Sequence, residues 1–232
     1  MKIIEKSLKA HCNECLKVTN QTLLYEKVCK AESPLGDRFS IDQYQTLQCN
    51  GCGHVTFRLV QIRDDITTED GTPIEDETYY PPKKSRPQPP WLNELVWEHD
   101  QFPLVVMLEE IYSALYAQLN SLVCMGIRTL IDMVMMAKVG DCGSLTNTLF
   151  KFRDDGFITE DQRVFIDNTI EAGNAAAHRV HRPELTDLNR LLDIAEGLIE
   201  TIFIFPKRSE EDKDLIPPRP PRIKKNVTPP NS

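Results

Sequence analysis

Two Cys-x-x-Cys pairs, Cys12/Cys15 and Cys49/Cys52, are the residues of this chain whose type and spacing most clearly suit chemistry. Each pair sets two thiols on one tight turn, as a tetrahedral zinc knuckle requires. One pair alone reads equally as a redox motif; two pairs favour zinc. Thirty-three residues separate the pairs, and closing a loop of that length costs about 3 kcal/mol of chain entropy. A structural zinc site contributes roughly 10–16 kcal/mol, well above that cost. Four thiolate ligands leave no open position for water, so one structural rather than catalytic Zn2+ is expected. His11 and His54 are then spare.

A second polar cluster lies in an otherwise apolar helical pattern: Glu171-Ala-Gly-Asn174-Ala-Ala-Ala-His178-Arg179. Asn174 and His178 are four apart and share a helical face, while the small residues between them let another backbone approach. Two readings stand side by side. Either the run is a helix-packing motif with a satisfied histidine, or His178 is a catalytic or ligand-binding group with Asn174, Arg179 and Glu171 around it. Arg128 and Asp132, also four apart, sit in the most apolar helical stretch. They read as an intrahelical ion pair, or as a site where Arg128 faces His178 and binds phosphate. His181 and Arg182 read as surface residues. No Gly-rich phosphate loop, Gly-x-Ser-x-Gly elbow or His-Glu-x-x-His motif is present, which argues against the common nucleotide-binding and hydrolase classes.

The elements that must position these groups change character along the chain. Residues 1–63 are β-rich, with strand patterns over Thr22–Val28, Ile41–Gln48 and Val55–Ile62. Residues 64–90 read as a linker in extended conformation. It is acidic from Asp64 to Glu77 and then basic and proline-rich through Lys83, Lys84 and Arg86. A docking strip for nucleic acid or for the ribbon is the other reading. Tyr79, Tyr80, Trp91 and Trp97 surround this strip and are expected to anchor it to the helices, or else to stack on bases. Residues 91–206 carry helical periodicity in five segments, and Ser121–Lys138 is apolar all round and so central. Thr159 and Gln162 form a capping-box signature at the fourth. Residues 207–232 form a proline-rich tail expected to be disordered. The predicted fold class is therefore α+β: a small N-terminal β zinc ribbon followed by an all-α helical bundle.

The net charge of −8 over 232 residues makes indiscriminate DNA binding unattractive, although local patches can still contact nucleic acid. No signal-peptide core and no apolar stretch long enough for a membrane span is visible. Cys29, Cys124 and Cys142 are left over from the metal set, a usage that fits the reducing cytoplasm.

Several helical runs resemble one bacterial family, the domain of unknown function 4145. They include Glu110-Ile-Tyr-Ser-Ala-Leu, Met125-Gly-Ile-Arg-Thr-Leu-Ile-Asp-Met, Lys138-Val-Gly-Asp and Glu171 to Arg179. Tyr80-Pro-Pro-Lys-Lys-Ser-Arg-Pro resembles it too. Many members carry an N-terminal zinc ribbon, and some are fused to restriction or other defence enzymes. The helical part is similar to the HEPN superfamily, whose active members are dimeric, metal-independent ribonucleases. The resemblance implies a homodimer and a partner in defence or restriction. In active HEPN nucleases an Arg precedes the His by four to six intervening residues. Those positions hold Glu171, Ala172 and Gly173 here, so the His matches and the Arg does not. The expected function is a nucleic-acid-associated module for RNA or DNA. The alternatives are a protein-binding structural adaptor and a HEPN-type ribonuclease.

Overall fold

The computed structural model describes residues 6–32, 38–98, 100–179, 182–213 and 217. Its N-terminal part is one antiparallel sheet in sequence order: β1 (Lys6–Cys12), β2 (Lys17–Glu32), β3 (Phe39–Cys49), β4 (Val55–Thr67) and β5 (Pro73–Tyr80). The sheet curls around a small core of Ala10, Leu23, Leu47 and Tyr79. Strand side chains alternate between faces, so this inner face also takes Gln45 and Arg58. They are held in a polar ladder in which Arg58 Nε donates to Gln45 Oε1 (2.8 Å) and Arg58 Nη1 reaches Glu77 Oε1 (3.0 Å). Gln45 Nε2 in turn donates to Glu26 Oε1 (2.7 Å). A buried guanidinium needs such partners, and the register supplies them from the two neighbouring strands, β3 and β5.

The acidic stretch expected as linker is strand instead. β4 continues to Thr67, and β5 pairs back from Pro73 to Tyr80. Gly71, at φ 83°, and Asp70, whose carboxylate is bonded by Thr68, close the turn between them. The acidic side chains tolerate this because β5 is the sheet edge, where charge also blunts pairing with other chains. Only residues 81–90 connect the sheet to the helices.

The helical part contains α1 (Leu92–Val96), α2 (Phe102–Tyr116), α3 (Asn120–Val139), α4 (Leu145–Asp154), α5 (Glu160–His178) and α6 (Leu185–Ile199). A π-helical turn over Glu200–Ile204 leads into α7 (Phe205–Asp212). The five helices read from periodicity are therefore present, with α1 and α7 added. The longest helix, α3, is central, touching α2, α4, α5 and α6. The capping box at Thr159 and Gln162 forms, and Ser144 caps α4 by accepting from the Asn147 N–H. The start of the expected disordered tail is helical, and its Arg208 reaches Glu94 of α1 (2.7 Å) while Lys207 reaches Glu98 just beyond α1 (2.6 Å). The rest of that tail, apart from Lys213 and Pro217, lies outside the described residues, as does His181.

The connecting segment is seated at both ends. Asn13, in the first knuckle, donates to the Pro82 carbonyl (3.0 Å) and accepts from the Lys84 N–H (3.0 Å). Arg86 enters the helical part, where it donates to Glu196 Oε1 (3.1 Å), Asp193 Oδ1 (2.7 Å) and the Asn189 carbonyl (3.2 Å). Burial works against its charge, but the Glu196 and Asp193 carboxylates outweigh that and keep it ionised. Trp91 is buried in the helical core, but Tyr79 is buried in the core of the sheet itself rather than against the helices, and Tyr80 is 54% and Trp97 87% exposed.

Candidate metal centre and binding surfaces

Cys12 ends β1 and Cys49 ends β3, so each knuckle is the turn of one hairpin. The β2–β3 pairing sets Gln21 against Cys49 and carries the first turn beside the second. Both turns need unusual backbone: Leu16 is at φ 52° and Gly53 at φ 78°. All four Sγ atoms lie within 4.8 Å of one another, with Cys12 to Cys52 at 3.5 Å and Cys15 to Cys49 at 3.9 Å. A tetrahedron with metal–sulfur bonds of about 2.3 Å has edges of about 3.8 Å, so the donor set fits an ion. The surroundings act differently on the four thiols: burial raises Cys12, hydrogen bonding to Cys52 followed by burial pushes Cys15 up to about 12, and Cys49 is held low. Thr19 Oγ1 lies 3.3 Å from Cys49 Sγ, and the Gly51 N–H points at the same sulfur from 3.4 Å. The Thr19 hydroxyl, followed by the Cys52 and Gly51 amides, holds the Cys49 thiol down to about 6. The four cysteines can hold a metal ion. The Nε2 atoms of His11 and His54 are buried without a hydrogen-bond partner among the described residues, and neither belongs to the cysteine cluster.

The polar residues of the helical part are only partly gathered. Arg128 Nε donates to Asn174 Oδ1 across the α3–α5 contact (2.7 Å). Asn174 Nδ2 approaches Glu171 Oε2 (3.4 Å), and Arg179 pairs with Glu171 Oε1 (2.6 Å). Arg179 and then Asn174 hold the Glu171 carboxyl below its ordinary range. Four of the six expected residues thus form one chain of contacts. His178 is exposed at the end of α5 and, among the described residues, bonds to none of them. Asp132 forms no ion pair with Arg128, whose guanidinium is directed across to α5 instead. The small-residue run has an intramolecular use. A Cβ on Gly173 would lie 2.6 Å from Arg128 Cβ and 3.0 Å from the Cys124 carbonyl oxygen, so α3 already occupies this approach.

The outer face of the sheet holds a feature that sequence reasoning missed. Register places Tyr25 against Thr46, Thr46 against Phe57, and Phe57 against Tyr80, with Tyr44 one pair further along β3. The ring centroids of Tyr44 and Phe57 are 6.3 Å apart, and those of Phe57 and Tyr80 5.8 Å. Tyr25 is 43% exposed, and among the described residues no helix packs extensively on the sheet. Lys27 stands directly opposite Tyr44. The alternation within each strand was legible, but the row exists only through the register between strands.

No helix among the described residues is long and apolar enough to cross a membrane. No curated protein and no solved structure matches the chain. Residues 109–216, from the middle of α2 to beyond α7, match the model of a family described as a domain of unknown function (DUF4145), so it is the helical part that is similar to this family.

Proposed function

We propose that this protein is a zinc-organised module that binds single-stranded nucleic acid, RNA or DNA, on the outer face of its sheet. The observation that carries the reading is the open row of Tyr25, Tyr44, Phe57 and Tyr80 beside Lys27. Aromatic rings on a sheet face stack on bases of any sequence, at about 1–3 kcal/mol per base. Charge polarity along the sheet adds support. Asp64, Asp65, Glu69, Asp70, Glu75 and Asp76 gather at the β4–β5 hairpin, whereas Lys9, Lys17, Lys83 and Lys84 lie towards the cysteines. An acidic protein can thus present a cationic end to phosphates. Zinc is the ion that a closed four-cysteine set at hairpin turns suits best, and its role here is to fix the sheet. A link to phage defence or restriction belongs to the same reading and rests on the family resemblance alone.

The test is fluorescence anisotropy with a labelled twelve-nucleotide single strand, its duplex, and an abasic strand of equal length. The base-bearing strand should bind tightest, and Tyr25→Ala with Tyr80→Ala should weaken it roughly 10- to 100-fold, as loss of one or two stacked bases implies. Binding should also fall steeply with salt. Equal binding of the abasic strand, or none at low salt, refutes the reading. Elemental analysis should return one zinc ion per chain.

One observation favours a second reading, a protein-binding adaptor. Trp97, Phe102, Val106 and Phe205 are all exposed where α1, α2 and α7 meet. Large aromatics of this kind supply the anchor residues of protein interfaces. A second copy of the chain would suit this face as well as another protein, and light scattering with Trp97→Ala separates the two.

Ribonuclease activity draws less from the geometry. Glu171 stands where the expected Arg would be, and it already pairs with Arg179.

A further inference from the structure

A cleft of about 460 Å³ opens between the sheet, the connecting segment and the helices. Four chain segments line it. His11 comes from β1, Lys83 and Lys84 from the connection, Tyr116 and Asn120 from the α2–α3 turn, and Arg182 from the approach to α6. Its size lies within the range of small-ligand sites, roughly 300–1,000 Å³, and exceeds what a bare phosphate fills.

Its chemistry is cationic on one side and apolar on the other. Lys83 is shared with Glu77 (3.2 Å), and Lys84 is held only loosely by Glu14 (3.8 Å). Arg182 has no carboxylate partner among the described residues. Leu115, Leu185 and the Tyr116 ring form the apolar wall. Asn120 Nδ2 is committed to the Pro183 carbonyl (2.8 Å), which orients the amide at the rim. Gln118, beside it, is at φ 58°, and a non-glycine residue held in that region is the kind of strain that clusters at binding sites. Cations converging from separate segments on one cleft focus a positive potential there.

From this arrangement we propose that the cleft binds a phosphate monoester carried by a nucleotide. Lys84 and Arg182 take the phosphate, and the wall of Leu115, Tyr116 and Leu185 takes the base or sugar. Arg182 suits the anion because its planar fork pairs bidentately with phosphate oxygens. The site uses none of the aromatic row on the sheet and does not depend on it. It is joined to the cysteine cluster, because Asn13, within the first knuckle, holds the Lys84 backbone in place.

The phosphate monoester has two sources, a free nucleotide or the 5′ end of a strand. Isothermal titration of the full chain with adenosine 5′-monophosphate, adenosine and inorganic phosphate tests the free form. Anisotropy with a 5′-phosphorylated strand against the same strand ending in a hydroxyl tests the other. Binding of the monophosphate at least tenfold tighter than adenosine or phosphate, or a tenfold gain from the 5′-phosphate, is the expected result, and whichever arm shows it names the source. The combined Lys84→Gln and Arg182→Gln variant should lose that gain at least tenfold, while Lys84→Arg, which keeps both cations and the Arg182 fork, should keep most of it. An unchanged melting temperature in both variants separates loss of ligand from loss of fold. The proposal is overturned if neither arm shows a phosphate-dependent gain, or if the glutamine variant retains it. Because the hydroxyl-ended strand reports stacking on the sheet separately, failure here leaves the single-strand reading intact, and the reverse also holds.

Discussion

Arg86→Met removes the cation that seats the connecting segment in the helical part while keeping a side chain of similar length. In the folded chain the Arg86 guanidinium bonds Glu196, Asp193 and the Asn189 carbonyl. The Arg86 and Glu196 side chains are only 16% and 13% exposed. After the substitution Glu196 keeps the Tyr112 hydroxyl but loses its cation. Deleting one member of a fully buried ion pair costs about 3–5 kcal/mol, chiefly through the charge left behind. This pair lies at the margin of burial, and solvent screening brings the expected cost to roughly 2–3 kcal/mol. For a chain of this size that corresponds to a fall in Tm of about 4–12 °C. Urea unfolding followed by tryptophan fluorescence is a suitable assay, because Trp91 is buried beside the docked segment whereas Trp97 is already exposed. In the Arg86→Met/Glu196→Gln double variant the stranded charge is gone, so the double loss should fall short of the summed single losses by at least about 1 kcal/mol. Arg190→Met is the control, since that side chain is 78% exposed and only loosely paired with Asp187 at 3.5 Å. If Arg86→Met costs no more than this control, or if the two single losses add, the account of the docking is wrong.

Three further outcomes are expected. Removing the metal with a chelator, or substituting Cys49→Ser, should abolish the β signature in circular dichroism and leave the helical signal, because the metal's roughly 10–16 kcal/mol acts on the two hairpins alone; simultaneous loss of both signals counts against separate stabilisation. Gly173→Val must push α5 off Arg128 and the Cys124 carbonyl, which lie 2.6 and 3.0 Å from the new Cβ, and overpacking of this kind costs about 1–3 kcal/mol in urea unfolding; an unchanged midpoint refutes the close approach. The Glu160 carboxyl is lowered to about 2 by Arg163 and then Arg153. A carboxylate with a depressed folded-state pKa stabilises above its unfolded value, about 4.3, and loses that contribution as pH falls towards 2. Glu160→Gln should therefore lower stability at pH 7, where the contribution is fully present, flatten the acid limb of the stability curve between those values, and change little near pH 2.

The helical part was legible because its information is local. Periodicity placed the central helix at Ser121–Lys138, where α3 runs from Asn120 to Val139, and the Thr159 capping box marked the start of α5. The strand ends were less legible. β1, Lys6-Ser-Leu-Lys-Ala-His-Cys, lies in the β-rich 1–63 stretch without a strand pattern of its own, and β5 is hidden by its acidic composition. An edge strand accepts charge on any side chain that faces water, so composition alone cannot distinguish it from a solvated linker.

The sequence by itself determined the candidate metal-binding cysteines, because Cys-x-x-Cys spacing is a property of one turn, and the ordering of a β-rich part before a helical one. Tertiary structure alone decided which residues of different segments meet. It sent Arg128 to Asn174 rather than to Asp132 and left His178 in solvent. It lined Tyr25, Tyr44, Phe57 and Tyr80 into one row, which a one-residue slip in register would scatter to opposite faces. It also gathered Lys83, Lys84 and Arg182 around one cleft. The physical reason is range: turn geometry and helical period are written within a few residues, whereas register and docking depend on contacts between segments far apart in the chain.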